Sequence, residues 1–524
     1  MSNDIMLFWM LCLLVLTGLA ISLRRIRSGG RGWAVVLTLI LLLNLAGGLS
    51  RQGSLIYAAL AMWLLLVLLP ASLAKLYQQR LLQQRYGAAD RLARIISWLH
   101  PADGWREQPK ILSAIRLAEA GQLDPASEML KFYQTNESWT GFCAVAALCR
   151  ATGRWEDMIA WEAQRTQELE RAPEFVPYLL RARGETGDVA GLIALYSRRR
   201  NQIAKLTSPS LRDLCRLMLF SFTGKRNLVD QMLTASSLRV MPTSTQKFWL
   251  ATADLFAGER ALAKEQFESL LENADRLTRR AIERRLAQVS NPPPTFDVSA
   301  AGMIESAALE HSHEERFGAN PTLFSTRARM TQVLILLNVI MFGVEMFFRA
   351  SEDPYGLYRL GALFPPAVRG GEWWRLATSL FLHFGYLHLV LNMIGLSFLG
   401  PFVEFVVGSR KFITIYLLAG IGSMAFVMAF ASGPAGERLT VGASGSVMGL
   451  VGATGALMLR GWLKEKAVAA RKRLLVMIAF VAMQTAMDAV IPQVSMAAHL
   501  TGAAIGFVVT MLIGNQLGRR LQAN

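Results

Sequence analysis

The sequence predicts an all-α fold: a polytopic membrane helix bundle with a six-helix C-terminal core, about three N-terminal spans and a cytoplasmic α-solenoid between them. Three observations predict it. Of 524 residues, 53% are hydrophobic and 18% charged, with 55 Lys+Arg against 38 Asp+Glu. Such a chain is too apolar to be disordered and too long and hydrophobic to be one soluble module. Nine apolar runs approach the length of about 20 residues needed to cross a bilayer. Between the third and the fourth, glycines recur through a long stretch that has no such run.

The net charge of +17 first suggests a nucleic-acid partner, but its distribution argues against a DNA-binding surface, and no nucleic-acid partner is expected. Residues 76–325 carry 32 basic and 29 acidic side chains, close to balance. The excess therefore belongs to the hydrophobic parts of the chain, as the loops of a membrane protein require. Four cysteines (Cys12, Cys143, Cys149, Cys215) show no metal-ligand spacing and are expected as reduced core thiols.

The first apolar runs are 5–23, 33–49 and 54–74, the last two alternatively a shallow hairpin. Six more follow at 331–348, 376–400, 412–431, 443–459, 474–491 and 495–513. The first lacks the positive leading flank of a signal peptide. Arg24, Arg25, Arg27 and Arg31 follow it, which places that loop in the cytoplasm and the N-terminus outside. Counting onward puts 76–325 in the cytoplasm. It also predicts positive cytoplasmic points at 401–411, 460–473 and the C-terminus, where Arg410, Lys411, Arg460, Lys464, Lys466, Arg471, Lys472, Arg473, Arg519 and Arg520 lie. The outer loops instead mix Arg with Glu352, Asp353, Glu372 and Glu437. The expected location is a bacterial cytoplasmic membrane.

The domains read as 1–75, the N-terminal spans; 76–290, a helical repeat; 291–325, a linker opening on NPPPTF; and 326–524, the C-terminal core. In the repeat, Gly121, Gly153, Gly187, Gly224 and Gly258 are spaced 32, 34, 37 and 34 apart, each between two helical patterns. A tight turn there needs a residue without a Cβ penalty. A period near 34 residues of helix–turn–helix resembles a tetratricopeptide-type solenoid. Its concave face suits a protein or peptide partner, or the stack is a scaffold without a ligand. Phe142, Trp155 and Trp161 are expected in its core. His311 and His313 lie in the linker without a third ligand nearby, so no metal site is expected.

Polar side chains inside a bilayer cost a few kcal/mol each and are functional candidates by default. His383, His388 and Asn392 fall in run 376–400, and His388 and Asn392, four apart, share a helix face. Ser444 opens run 443–459, and His499 sits about a turn inside 495–513. The topology brings both in from the outer side at similar depth, where water is available. A serine and a histidine so matched can form a nucleophile–base pair, with the Ser444 backbone N–H, His388 and Asn392 as oxyanion donors. Gly445 and Gly449, and Gly502 and Gly506, form two small-xxx-small patterns that pack the two helices together.

These residues resemble the rhomboid intramembrane serine proteases over about 330–515. The likeness rests on GASG (Gly442 to Gly445), AHLTGAAIG around His499, HLVLN from His388 to Asn392, and the WWR of Trp373, Trp374 and Arg375. It implies a Ser444–His499 dyad without an obligatory acid and an oxyanion site using His388 and Asn392. It also implies a membrane-dipping loop over 349–375 with Arg375 structural, and a structural carboxylate at Glu404. Where family members often place an aromatic residue four positions after the serine, this chain has Met448. Asp488, eleven residues before His499, is read as a structural or water-binding group, not a triad acid. Glu345 has no assigned role, and His383 is read as local hydrogen bonding.

The expected activity is endopeptidase cleavage of transmembrane or membrane-proximal segments of other membrane proteins, in contact with membrane lipid. No cofactor or metal is implied. The alternative is an inactive rhomboid-like protein that binds and sorts membrane clients, which typically loses the nucleophile or base; this sequence retains both. A transporter would show internal repeats among the spans, and none is clear.

Overall fold

A computed structural model of the chain describes residues 3–24, 30–133, 139–206, 208–272, 274–317, 328–430, 438–490 and 496–513. It divides into two compact units, Met1–Ala308 and Leu309–Asn524. The described residues contain no strand, only an isolated antiparallel bridge between Leu363 and Thr440. The architecture is thus a polytopic helical bundle. Of the residues used to assign sides, Arg25, Arg27, Glu437, Arg519 and Arg520 lie outside the described ones.

The first unit opens with α1 (Asn3–Arg24), α2 (Arg31–Ser50) and α3 (Gly53–Leu82). Leu7, Leu11, Val15, Leu37, Ile40, Ile56 and Ala59 form their shared core. Asn44 of α2 is buried and its amide nitrogen donates to the Phe8 carbonyl at 3.0 Å, a polar contact between α1 and α2 where water is scarce. α3 widens to a π-turn over Leu64–Leu68, just ahead of Pro70, whose missing N–H and ring disturb the α-helical ladder.

After α4 (Tyr86–Leu99) come five helix pairs: α5 and α6 (Gln108–Glu119, Leu123–Lys131), α7 and α8 (Trp139–Thr152, Trp155–Gln164), α9 and α10 (Val176–Thr186, Val189–Ile203), α11 and α12 (Pro209–Phe222, Arg226–Ala235), and α13 and α14 (Thr243–Ala257, Arg260–Leu271). α15 (Arg276–Ala287) follows. Each pair turns on one of the five spaced glycines, and all five have positive φ. Phe142 and Trp155 are buried in the common core, with Trp161 packed against it. The core also holds a buried ion pair, Arg285 to Glu185 at 2.9 Å, with Arg181 on the same carboxylate at 3.1 Å. The stretch expected as a linker carries a twenty-residue helix, α16 (Val298–Phe317). Its residues are helix formers such as Ala, Glu and Met, and Ile304 and Ala307 join the core of the first unit. His311 lies 3.4 Å from Glu315, and His313 3.8 Å from Glu465.

The second unit is built on α17 (Arg329–Phe347), α18 (Tyr386–Val407), α19 (Ser409–Phe430), α20 (Ser444–Glu465), α21 (Val468–Val490) and α22 (Met496–Ile513). Among the described residues, seven helices are long and apolar enough to cross a membrane: α2, α3, α17, α18, α19, α20 and α22. The other two expected spans are helical as well. The apolar part of α1, Leu7–Leu23, is shorter, and α21 carries Arg471, Lys472 and Arg473 near its start.

One expected span is shorter at its start than hydropathy suggests. The run at 376–400 becomes helix only from Tyr386. Before it come a short helix at Arg375–Thr378, a 3-10 turn at Ser379–Phe381, and Gly385 at φ +80°. The His383 N–H in this break donates to Glu345 Oε1 of α17 at 2.9 Å. An apolar composition hides the break, because the carboxylate that satisfies it lies on another helix.

Candidate active site

α20 and α22 run in the same direction and touch through their glycines. A Cβ on Gly502 or Gly506 would collide with the carbonyl of Gly445 or Gly449, and one on Gly452 with the carbonyl of Ala503. Without side chains the backbones come into direct contact, so dispersion acts along the whole seam. The seam sets the two helix starts side by side. A Cβ on Gly445, next to Ser444, would stand 3.8 Å from the carbonyl of Ala498, next to His499. His499 is buried, whereas Ser444 remains partly accessible at the mouth.

The approach to Ser444 is clamped from below. Leu363 and Thr440 exchange backbone hydrogen bonds at 3.0 and 2.9 Å, and the Gly442 N–H donates to the Ser379 carbonyl at 2.9 Å. Gly442 has φ +127°, a conformation L side chains rarely adopt. A Cβ there would also lie 2.8 Å from His388 Nε2 and 3.7 Å from Ser444 Oγ. Glycine is therefore needed twice at this position, for the turn and for the space between His388 and Ser444.

His388 and Asn392 lie one turn apart on α18. The Phe384 N–H donates to His388 Nδ1 at 3.3 Å. An imidazole nitrogen that accepts cannot carry the ring proton, so in the neutral ring Nε2 is the N–H, and it is on the edge facing Gly442. Asn392 is buried and donates one amide hydrogen to the His388 carbonyl at 3.1 Å, which leaves its second hydrogen for a ligand.

Asp488, expected as a structural or water-binding group, is in contact with His499. Asp488 Oδ2 lies 2.7 Å from His499 Nδ1, with both side chains buried. Gln484, one turn earlier on α21, donates to Asp488 Oδ1 at 2.8 Å. The signal was present as an acid eleven residues before the histidine, but its partner is fixed by the packing of α21 on α22, which spacing does not reveal.

The surrounding residues hold this frame. Arg375 is buried, donates to the Tyr358 and Ala362 carbonyls at 2.7 and 3.0 Å, pairs with Glu372 at 2.7 Å and lies 4.1 Å above the Tyr358 ring. It thereby staples the 354–363 segment, while Trp373 and Trp374 are exposed. Glu404, at the far end of α18, accepts from Met330 N, Thr331 N and Thr331 Oγ at 3.0, 2.9 and 2.9 Å, capping α17. The His383 ring is fully buried with its centroid 5.2 Å from that of His388, so it backs the site without entering it. Met448 is buried with Val451 and Ala503, one turn beyond His499. Among the described residues no group of three His, Cys, Asp or Glu could hold a metal ion.

The Rhomboid domain family model matches residues 370–516. RHOMBOID-like protein 5 of Arabidopsis thaliana is 31% identical over 159 residues, 30% of this chain and 49% of that protein. Rhomboid protease GluP of Bacillus subtilis is 30% identical over 170 residues, 32% of each chain. Rhomboid protease AarA of Providencia stuartii is 26% identical over 218 residues, 37% of this chain and 77% of AarA. The chain thus spans about half of the first of these relatives and a third of the second. Five of the six helices from α17 to α22 fall within the matched region, with Ser444, His499, Asp488, His388, Asn392, Arg375 and Glu404. This multi-pass helical membrane protein therefore carries a Rhomboid domain at residues 370–516.

Proposed function

We propose that this protein is an intramembrane serine endopeptidase that hydrolyses peptide bonds in or near transmembrane segments of other membrane proteins. The observation that carries the proposal is the glycine seam, which sets the start of α20, with Ser444, beside the start of α22, with His499. In this reading His499 Nε2 takes the Ser444 proton as Oγ attacks the scissile carbonyl carbon. The oxyanion accepts from the Ser444 backbone N–H at the start of α20, from His388 Nε2–H and from the free Asn392 amide hydrogen. His499 then gives its proton to the leaving amine, and water hydrolyses the acyl-enzyme by the same steps in reverse order. A substrate helix must unwind to present its peptide bond, which small or helix-breaking residues near the cut make easier.

The charge pattern supports a bacterial cytoplasmic membrane with this site towards the outer face. The helix pairs of the first unit would then offer a cytoplasmic surface for a protein or peptide partner. A cavity of about 440 Å³ lined by Tyr77, Tyr86, Arg150, Trp155, Arg181 and Trp249 supports that reading.

The test is cleavage of a model transmembrane substrate by the purified full-length protein in proteoliposomes. Ser444→Ala and His499→Ala should each lower cleavage by about 10³-fold or more, and a fluorophosphonate should label Ser444. Undiminished cleavage by Ser444→Ala would sink the mechanism. An inert, unlabelled wild type would favour a client-binding role.

A further inference from the structure

We propose that Asp488 is a positioning residue for His499, the base of the Ser444–His499 pair, with Gln484 holding the acid. The proposal rests on the endopeptidase reading above and deepens it. Asp488 Oδ2 is 2.7 Å from His499 Nδ1, its other oxygen accepts from Gln484 Nε2 at 2.8 Å, and its side chain is 1% exposed.

An ionised carboxylate can only accept, so the proton on that short contact belongs to His499 Nδ1. Nε2 is then left with its lone pair, the form a base towards Ser444 needs. A neutral imidazole without this partner divides between two tautomers, and the one protonated at Nε2 presents an N–H to the serine and takes no proton. The same carboxylate fixes the ring plane and stabilises the imidazolium formed when the Ser444 proton arrives. Gln484 holds the second oxygen of Asp488 through a hydrogen bond at 2.8 Å.

The groups facing His499 come from several elements. α21 brings Asp488 and Gln484. α18 brings His388, whose Nε2 lies across the Gly442 turn from Ser444 Oγ. α20 brings the hydroxyl of Ser444 at its start, and α22 adds no titratable group besides His499 between Met496 and Ile513. Asp488 is thus the acidic neighbour of the ring on these helices.

The test is Asp488→Asn in the full-length protein, with steady-state cleavage measured from pH 5 to 9. Asparagine keeps the size and a hydrogen bond to the ring, so a purely structural tether survives, but its amide can donate to Nδ1 and favour the wrong tautomer. We expect kcat to fall by about 10- to 100-fold with KM within about twofold and the melting temperature nearly unchanged. The acidic limb of kcat/KM should move to lower pH, because losing the carboxylate makes the imidazolium easier to deprotonate. Wild-type kcat and an unmoved acidic limb in Asp488→Asn would overturn the proposal while leaving the endopeptidase reading intact.

Nitrogen-15 spectra of histidine-labelled protein, with His499→Ala to assign the signal, separate the two ideas. If the wild type neither cleaves nor labels at Ser444, the endopeptidase reading fails. The positioning role then stands if His499 is Nδ1-protonated in the wild type and not in Asp488→Asn, and falls if the tautomer is the same in both.

Discussion

Gly502 of α22 lies with its Cα against the backbone of Gly445 of α20: a methyl group added to Gly502 would stand 3.0 Å from the carbonyl carbon and 3.2 Å from the Cα of Gly445. Both neighbours are backbone atoms, which cannot rotate away as a side chain can. Gly502→Ala must therefore push the helices apart at the turn that carries His499. Overpacking of this kind costs about 1–3 kcal/mol. We expect a lower melting temperature in detergent and a drop in substrate cleavage of more than about tenfold, larger than the stability loss alone explains.

Glu404→Ala should destabilise the second unit without touching the chemistry directly. It would strip the acceptor from the Met330 and Thr331 N–H groups and from the Thr331 hydroxyl. Buried donors without partners cost about 1–3 kcal/mol each, so a loss of about 3 kcal/mol is expected. Thermal unfolding followed by circular dichroism measures it, and fluorophosphonate labelling of Ser444 well below the transition should persist.

Two turn glycines in the first unit should respond differently to the same change. Gly153 and Gly224 have φ of +76° and +71°, so alanine is strained at both. Around Gly153 the space is open, whereas a Cβ on Gly224 would lie 2.7 Å from the backbone N and Cα of Ala257. Gly153→Ala should cost about 1 kcal/mol and Gly224→Ala about 1–3 kcal/mol more. Comparing the two melting temperatures checks the order; equal shifts would contradict it.

Glu119, at the end of α5, gives the first unit a pH-dependent element. Burial pushes its carboxyl from about 4.5 up to about 7, against the pull of Arg150 and Arg116. The folded state thus holds a proton that the unfolded chain releases earlier, so local stability is greatest below pH 4.5 and declines as pH rises towards 7. Hydrogen exchange of the α5 amides in the full-length protein should quicken across that window beyond the intrinsic pH effect. Glu119→Gln should abolish the extra acceleration.

Much of this architecture is legible in the sequence because it rests on local signals. Glycines at a period near 34 residues mark the turns of the first unit, and the paired small residues of α20 and α22 announce a close helix contact. The less legible features depend on partners distant in the chain. Hydropathy runs through residues 376–385 without a break, since the carboxylate of Glu345 that satisfies the His383 N–H is 38 positions away. NPPPTF announces a linker, and the helix that follows it shows little amphipathic pattern until its buried Ile304 and Ala307 are known. Asp488 is the sharpest case: sequence suggests only a structural or water-binding acid, and its partner His499 is fixed by the packing of two helices.

The two carboxylates on the α17–α18 pair point in opposite senses. Glu404, carried by α18, receives the first N–H groups of α17, and Glu345, carried by the last turn of α17, receives the N–H that precedes α18. Together they act as a vernier. Sliding α17 by one residue, about 1.5 Å along its axis, would break both ends at once, and no neighbouring register restores either. The height of α17 against α18, and with it the level at which His388 meets Gly442, is therefore set by two pins and not by the apolar surface between them, which would tolerate many positions.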